Sequence, residues 1–150
     1  MIILHKKHER KNEYKKIEEH DFSEKKISQG SILNISQWRE IKELIIKKKI
    51  KVGLELSSSE CCISDEDDIC EISLIQINFE HFKDGRPFSF VKKLRKNYGF
   101  NGEIRAKGNI LPDQYIFILR CGFNSVEIHE KDKSIWLELL EMDDGVYYQP

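Results

Sequence analysis

The sequence lacks the features that mark a membrane protein, a nucleic-acid-binding protein or a secreted protein. No stretch approaches the roughly 18 apolar residues of a membrane span, and the apolar start runs directly into His5-Lys6-Lys7, too soon for the core of a signal peptide. Lys and Arg total 25 against 26 for Asp and Glu, so the formal net charge of -1 gives no overall attraction to nucleic acid or anionic lipid. We therefore expect a soluble, cytoplasmic protein in which any charge-driven function is local.

The four cysteines do not form a metal-binding or redox pattern. Cys61 and Cys62 are adjacent, and no C-x-x-C pair or His at zinc-ligand spacing accompanies Cys70 or Cys121. The sequence also carries no G-x-G-x-x-G motif or P-loop, and no flavin, haem, iron-sulfur or nicotinamide signature. We expect reduced thiols and no metal, identify no cofactor, and assign no catalytic residue.

A chain of 150 residues has the length of one ordinary domain, and its first thirty residues differ from the rest. After a candidate edge strand at Ile2–Leu4, residues 1–30 mix both charge signs and contain few apolar side chains. We interpret them as a charged N-terminal arm or a loosely packed segment rather than a nucleic-acid-binding arm, because their interspersed glutamates would repel phosphate. Residues 31–150 are expected to form a single α/β domain.

From Ser31 onward the hydrophobic period changes repeatedly between two and about 3.6, which predicts alternating strands and helices. Helices are expected between the strands, with start signals at Ser36, Ser64, Pro112 and Asp132 and stop signals at Gly99 and Gly122. Alternating strands and helices with short connections favour a mainly parallel sheet. The predicted strands are Ser31–Ile35, Lys51–Leu56, Leu74–Phe79, Glu103–Lys107, Ser125–Ile128 and Val146–Gln149.

The predicted strands alternate between apolar and polar residues. In Leu74–Phe79, for example, Gln76 and Asn78 interrupt the isoleucines. A doubly wound sheet would instead have continuous apolar strands, because both of its faces are covered. The alternation favours repeated βα units with helices mostly on one face, as in part of a (βα) barrel. The polar face would then meet a cavity, solvent or another subunit, as in a homodimer. An open, flavodoxin-like three-layer sheet is the alternative.

Two loops at the carboxyl ends of predicted strands carry residues that could bind a ligand, since ligands of parallel βα proteins bind at this rim. Arg86 stands at a helix entrance, where free N–H groups favour an anion. The alternative is a tight turn in which Asp84 accepts backbone N–H bonds and Gly85 has a positive φ. The candidate residues for binding a small oxyanion or a phosphate-bearing ligand are Asp84, Arg86, Arg105, Lys107, Asp113 and Gln114.

Four short motifs follow one another through this part of the chain. They comprise Phe79, Phe82, Asp84, Gly85, Arg86, Ser89, Leu94 and Arg95; then Gly102, Glu103, Arg105, Ala106 and Gly108; then Asp113 and Gln114; then Arg120, Gly122 and Phe123. In this order they resemble the bacterial family named domain of unknown function nine-thirty-four.

The resemblance implies a place in assimilatory sulfate reduction, since members of that family are typically encoded beside sulfite reductase and phosphoadenylyl-sulfate reductase. It implies an accessory protein or oxidoreductase component that binds one of those reductases, or a small oxyanion, at the basic βα rim. The alternative is a small enzyme that acts on a phosphorylated or sulfur-oxyanion substrate through Asp84, Arg86, Arg105 and Asp113.

Overall fold

Eight strands form one sheet, in a spatial order that differs from their order in the sequence. The computed structural model describes residues 1–23 and 25–146, without the side chains from 143 onward. The sheet order is β2-β1-β8-β7-β6-β5-β4-β3. Neighbours from β3 to β8 are parallel, whereas β1 is antiparallel to β2 and β8. The strands are β1 Ile2–His5, β2 His8–Arg10, β3 Lys15–Lys16, β4 Ser31–Leu33, β5 Val52–Ser57, β6 Leu74–Phe79, β7 Glu103–Gly108 and β8 Ser125–Ile128.

The α-helices of the described residues pack their apolar stripes into one core. Buried residues of all of them, including Trp38, Val91, Ile118 and Trp136, join a cluster with Leu54 and other strand residues. The prediction of a mainly parallel sheet with helices on one face is therefore confirmed, and the three-layer alternative is wrong. The helices are α1 Ile35–Lys48, α2 Arg86–Lys96, α3 Tyr115–Cys121 and α4 Lys133–Val146.

Several local predictions need correction. The N-cap of α1 is Asn34 and not Ser36, because the Asn34 side chain accepts the Gln37 N–H while Gln37 accepts the Asn34 N–H. The short helix expected after Ser64 is present as two 3-10 helices, Asp65–Asp67 and Ile69–Glu71, and Asp67 Oδ2 accepts the Ser64 N–H at 2.9 Å. Val146 ends α4, and the rest of the predicted strand Val146–Gln149 lies outside the described residues.

The first residues of the chain belong to the sheet, and the candidate strand Ile2–Leu4 lies within β1. In β1, Ile2 pairs with Ile128 and Leu4 with Val126, and Leu4 is fully buried in the core. The strands β2 and β3 form the two opposite edges of the sheet.

The short connection between β2 and β3 requires the sheet to curl. We call residues Lys11–Tyr14, which join these strands, the strap. From Arg10 to Lys15 the chain reaches at most about 18 Å, whereas the edges of a flat eight-stranded sheet would lie about 33 Å apart. The two edges must therefore approach each other, and the sheet is a curled half-barrel whose concave face lies under the strap.

Among the described residues, no helix is both long and apolar enough to cross a bilayer.

Candidate functional site

The concave face of the half-barrel carries a connected polar network. Glu55 Oε1 accepts hydrogen bonds from Gln76 Nε2 at 2.8 Å and Lys107 Nζ at 3.1 Å, while its Oε2 accepts one from Lys16 Nζ at 2.7 Å. Gln76 Oε1 in turn accepts a bond from Arg105 Nη1 at 3.2 Å. The polar face predicted from the alternation thus exists, and its side chains bind one another across neighbouring strands.

Arg105 holds its guanidinium inside the curl, with only 3% of its side chain exposed. Its Nη1 donates to Asn12 Oδ1 of the strap at 3.1 Å, and its Nη2 donates to Glu103 Oε2 at 3.0 Å. Its Nε has no hydrogen-bond partner, the only such buried side-chain nitrogen or oxygen in the described residues. Leaving a buried donor unsatisfied costs about 1–3 kcal/mol, and more for a charged group, so a further acceptor at this atom would be stabilising.

A cavity of about 270 Å³ lies beside Arg105, and we call it the strap cavity. Three cationic side chains, Arg10, Lys11 and Arg105, face the carboxylates of Glu13 and Glu103. Glu103 is already engaged, since its Oε2 accepts bonds from Arg105 and from Ser125 Oγ at 2.7 Å. The cavity therefore has an excess of positive charge. Its lining consists of Ile3, His5, Arg10, Lys11, Glu13, Tyr14, Glu103 and Arg105.

His5 reaches the strap cavity because side chains alternate along β1. Leu4 packs into the core under the helices, so Ile3 and His5 point to the concave face, where both line the cavity. Burial, and after it the positive charge of Arg10, lower the pKa of His5, although Glu103 acts in the opposite direction. We therefore describe His5 as predominantly neutral at pH 7.

The structure places Asp84 and Arg86 in a turn at the start of α2. Asp84 Oδ1 accepts the backbone N–H of Arg86 at 3.0 Å, and Asp84 Oδ2 accepts Arg86 Nη2 at 2.6 Å. These bonds hold the pKa of Asp84 well below its usual range. The tight-turn alternative is correct for Asp84 but wrong for Gly85, whose φ is -88°. Arg86 is exposed and lines a cavity with Cys61, Cys62 and Lys93 that includes neither Arg105 nor Lys107.

The remaining rim candidates make separate sets of contacts. Lys107 Nζ lies 3.1 Å from Glu55 and 3.7 Å from Glu127 Oε2. Gln114 bridges two loops, since its Oε1 accepts the Leu111 N–H and its Nε2 donates to the Phe82 carbonyl. Asp113 is exposed in the 3-10 turn Pro112–Gln114. The structure thus does not bring the six predicted residues together in one cavity, and only Arg105 among them lines the strap cavity.

Sequence reasoning missed the strap-cavity residues that come from the first strands and the strap. Arg10 and Lys11 stand in a segment of mixed charge, where no local pattern distinguishes them from solvated residues. The only usable signal is the alternation in β1, which separates Ile3 and His5 from Leu4.

Among the described residues, the cysteines form no cluster with other metal-ligating side chains. All four are free thiols. Burial raises the pKa of the Cys61 thiol to about 12, so it is protonated at neutral pH. In the part of the chain that the structure describes, no three His, Cys, Asp or Glu side chains lie together as a metal site requires.

We expect Glu55→Gln to lower the free energy of unfolding at pH 7 and to lower it less at acidic pH. Burial alone would raise the pKa of Glu55, but hydrogen bonds from Lys16, Gln76 and Lys107 outweigh it and lower the pKa below its ordinary value of 4.5. A carboxylate with a lowered pKa stabilises the fold above that ordinary value, and this contribution is lost as the pH falls through its folded-state pKa. Urea unfolding should show a loss of about 1–3 kcal/mol at pH 7, shrinking towards pH 3.

Glu43→Gln is the matched control, because Glu43 is exposed on α1. It should change the free energy of unfolding little at either pH. A deficit of Glu55→Gln that stays constant or grows in acid would contradict this role for Glu55.

The family-model comparison covers the second part of the chain. Residues 53–150 match the model described as "Bacterial protein of unknown function (DUF934)", a span from within β5 to the end of the sequence. No curated protein matches the chain. Arg105 and Glu103 lie inside the matched span, whereas the strap and His5 precede it. Because the match covers well over half of the chain, the protein belongs to this bacterial family of unknown function.

Proposed function

We propose that this protein binds a small oxyanion in the strap cavity and acts as an accessory protein of assimilatory sulfite reduction. The observation that carries the proposal is the buried guanidinium of Arg105, whose Nε has no partner while its other nitrogens are held by Asn12, Gln76 and Glu103. A guanidinium with one donor left over can bind a further oxygen once the surrounding groups give access to it.

The charge and volume of the strap cavity fit such a ligand. Arg10 and Lys11 add cations beside Arg105, so an anion would offset their mutual repulsion. A volume of about 270 Å³ equals that of about nine water molecules, which leaves room for a tetrahedral or pyramidal oxyanion together with bridging waters.

The sulfur chemistry in the proposal rests on the family resemblance. Sulfite, sulfate and nucleotide phosphates are anions that an arginine in this setting can bind. We propose sulfite reductase or phosphoadenylyl-sulfate reductase as the protein partner. Co-purification with either enzyme should persist when cavity cations are replaced, because the strap cavity is proposed to hold the anion and not the partner.

Isothermal titration calorimetry with sulfite, sulfate, phosphate and adenosine phosphosulfate tests the binding. We expect saturable binding of at least one of these anions at submillimolar to millimolar concentration. Absence of binding by the wild-type protein at millimolar concentration of every anion would refute the proposal.

Replacing the two exposed cations of the strap cavity should weaken binding without unfolding the protein. Each exposed ion pair is worth up to about 1 kcal/mol, so Arg10→Gln combined with Lys11→Gln should raise Kd by up to about 30-fold. Both side chains are exposed, so the fold should survive.

Two control variants locate the effect. Lys47→Gln combined with Lys48→Gln removes the same charge from the exposed end of α1 and should leave Kd unchanged. Arg86→Gln should also leave it unchanged. If Arg86→Gln weakens binding and the strap variant does not, the anion binds at the rim and the strap cavity is not its site.

A further inference from the structure

His5 is the histidine that lines the strap cavity. It stands at the end of β1 and lines the same cavity as Arg105 and Arg10. Because Ile3, two residues earlier, lines the cavity as well, this face of β1 is directed into the strap cavity. A protonated imidazole there would add a positive charge and a further N–H donor.

The groups around His5 favour its neutral form on balance. Burial and the nearby cations oppose its protonation, and Glu103 favours it. An anion among these cations would reverse the balance, since an opposite charge within about 4–6 Å raises the pKa of a histidine by about 1–3 units. The charged or titratable groups around His5 are Lys6, His8 and Arg10 of the first hairpin, Lys11, Glu13 and Tyr14 of the strap, and Glu103 and Arg105 of β7.

We infer that a doubly charged oxyanion is taken up in the strap cavity together with a proton on His5, which makes His5 a specificity-determining residue of this site. The inference rests on the proposed oxyanion binding. The proton comes from the buffer and stays on the imidazole, and no covalent bond changes. The added charge favours a dianion over a monoanion of the same shape.

Calorimetric titration with sulfate tests this directly, because sulfate stays doubly charged throughout the range in which His5 titrates, whereas sulfite and phosphate do not. The wild-type protein is titrated at pH 6.5 in buffers of different ionisation enthalpy. The slope of the observed binding enthalpy against the ionisation enthalpy of the buffer gives the number of protons taken up per sulfate. We expect about 0.3–0.8 proton per sulfate, and an affinity that rises about 3- to 10-fold from pH 7.5 to pH 5.5. Perchlorate, a monoanion of the same tetrahedral shape, should bind more weakly.

Two histidine variants identify the residue that takes up the proton. His5→Asn should still bind sulfate but with a slope near zero, whereas His129→Asn should keep the wild-type slope, since His129 is exposed beyond the end of β8 and does not line the strap cavity. Sulfate binding without proton uptake, or uptake that persists in His5→Asn, would overturn this inference and leave the proposed function intact. If no anion binds at millimolar concentration, both fail.

Discussion

Arg95→Gln is expected to lower the free energy of unfolding by about 3–5 kcal/mol, the largest stability effect we predict for a single substitution. Arg95 Nη1 donates to the carbonyls of Phe100 and Gly102 at 2.9 Å and 2.8 Å. Its Nε and Nη2 both donate to the Gly122 carbonyl, and Nη2 also donates to Asn124 Oδ1. One guanidinium thereby ties the end of α2 to the segment before β7 and to the turn that follows α3.

Shortening this side chain removes donors that glutamine cannot replace from the same position. The carbonyls of the two connecting segments would lose their partner together, and Asn124, which also accepts the Ile104 N–H, would lose part of its support. The helix α2 and the strand β7 would then no longer be fixed to each other at this end.

Guanidinium chloride unfolding of Arg95→Gln beside Lys96→Gln measures the effect. Lys96 is exposed in the same helix turn, so its replacement should change the free energy of unfolding by less than about 0.5 kcal/mol. Arg95→Lys should recover only part of the loss, because an ammonium cannot reach acceptors in several directions. A loss below 1 kcal/mol for Arg95→Gln would show that these bonds contribute little.

Arg105→Met is expected to abolish oxyanion binding, with Kd raised by more than about 100-fold. The substitution removes the unpartnered Nε and also the anchors of Asn12, Gln76 and Glu103. Glu103 would remain as a carboxylate beside the cavity, where it would repel an anion. The strap would lose its bond to β7, so a stability loss of about 2–3 kcal/mol should accompany the loss of binding.

Arg105→Lys separates the charge of this group from its geometry. It keeps a cation on β7 but loses the planar set of guanidinium N–H donors. We therefore expect weak residual binding, with a Kd about 10- to 100-fold higher than that of the wild type. Calorimetry should be accompanied by thermal unfolding, so that binding is compared only at temperatures where each variant is folded. Binding by Arg105→Met with wild-type affinity would place the anion elsewhere.

The helix-bearing part of the sheet was predictable because its signals are local. The bounds of Leu74–Phe79 and Ser125–Ile128 agree with the sequence pattern, since each strand has clear alternation and turn residues at both ends. The same alternation predicted the polar face, because side chains two residues apart share a face whatever the strand pairs with. The cap at Asn34 was missed because Ser36, two residues later, offers a similar local signal.

The strap was not predictable, because its strands are defined by pairing and not by composition. β2 and β3 contain three and two residues, all exposed, so neither has an apolar pattern. β2 lies at one edge of the sheet because it pairs with β1, which pairs with β8. β3 lies at the opposite edge because it pairs with β4. For the same reason the sequence identified Arg105 but assigned it to the rim, whereas its contact with Asn12 bridges residues 93 positions apart.

The Nε–Hε resonance of Arg105 gives the most direct measurement of the central claim, that this atom binds an oxyanion in the strap cavity. In a ¹⁵N-correlated NMR titration with sulfate, we predict that this resonance shifts and saturates at the calorimetric Kd. The Nε–Hε resonance of Arg95, already bonded to the Gly122 carbonyl, should stay in place. Saturable anion binding with an unmoved Arg105 resonance, or with a shift at Arg86 instead, would contradict the account.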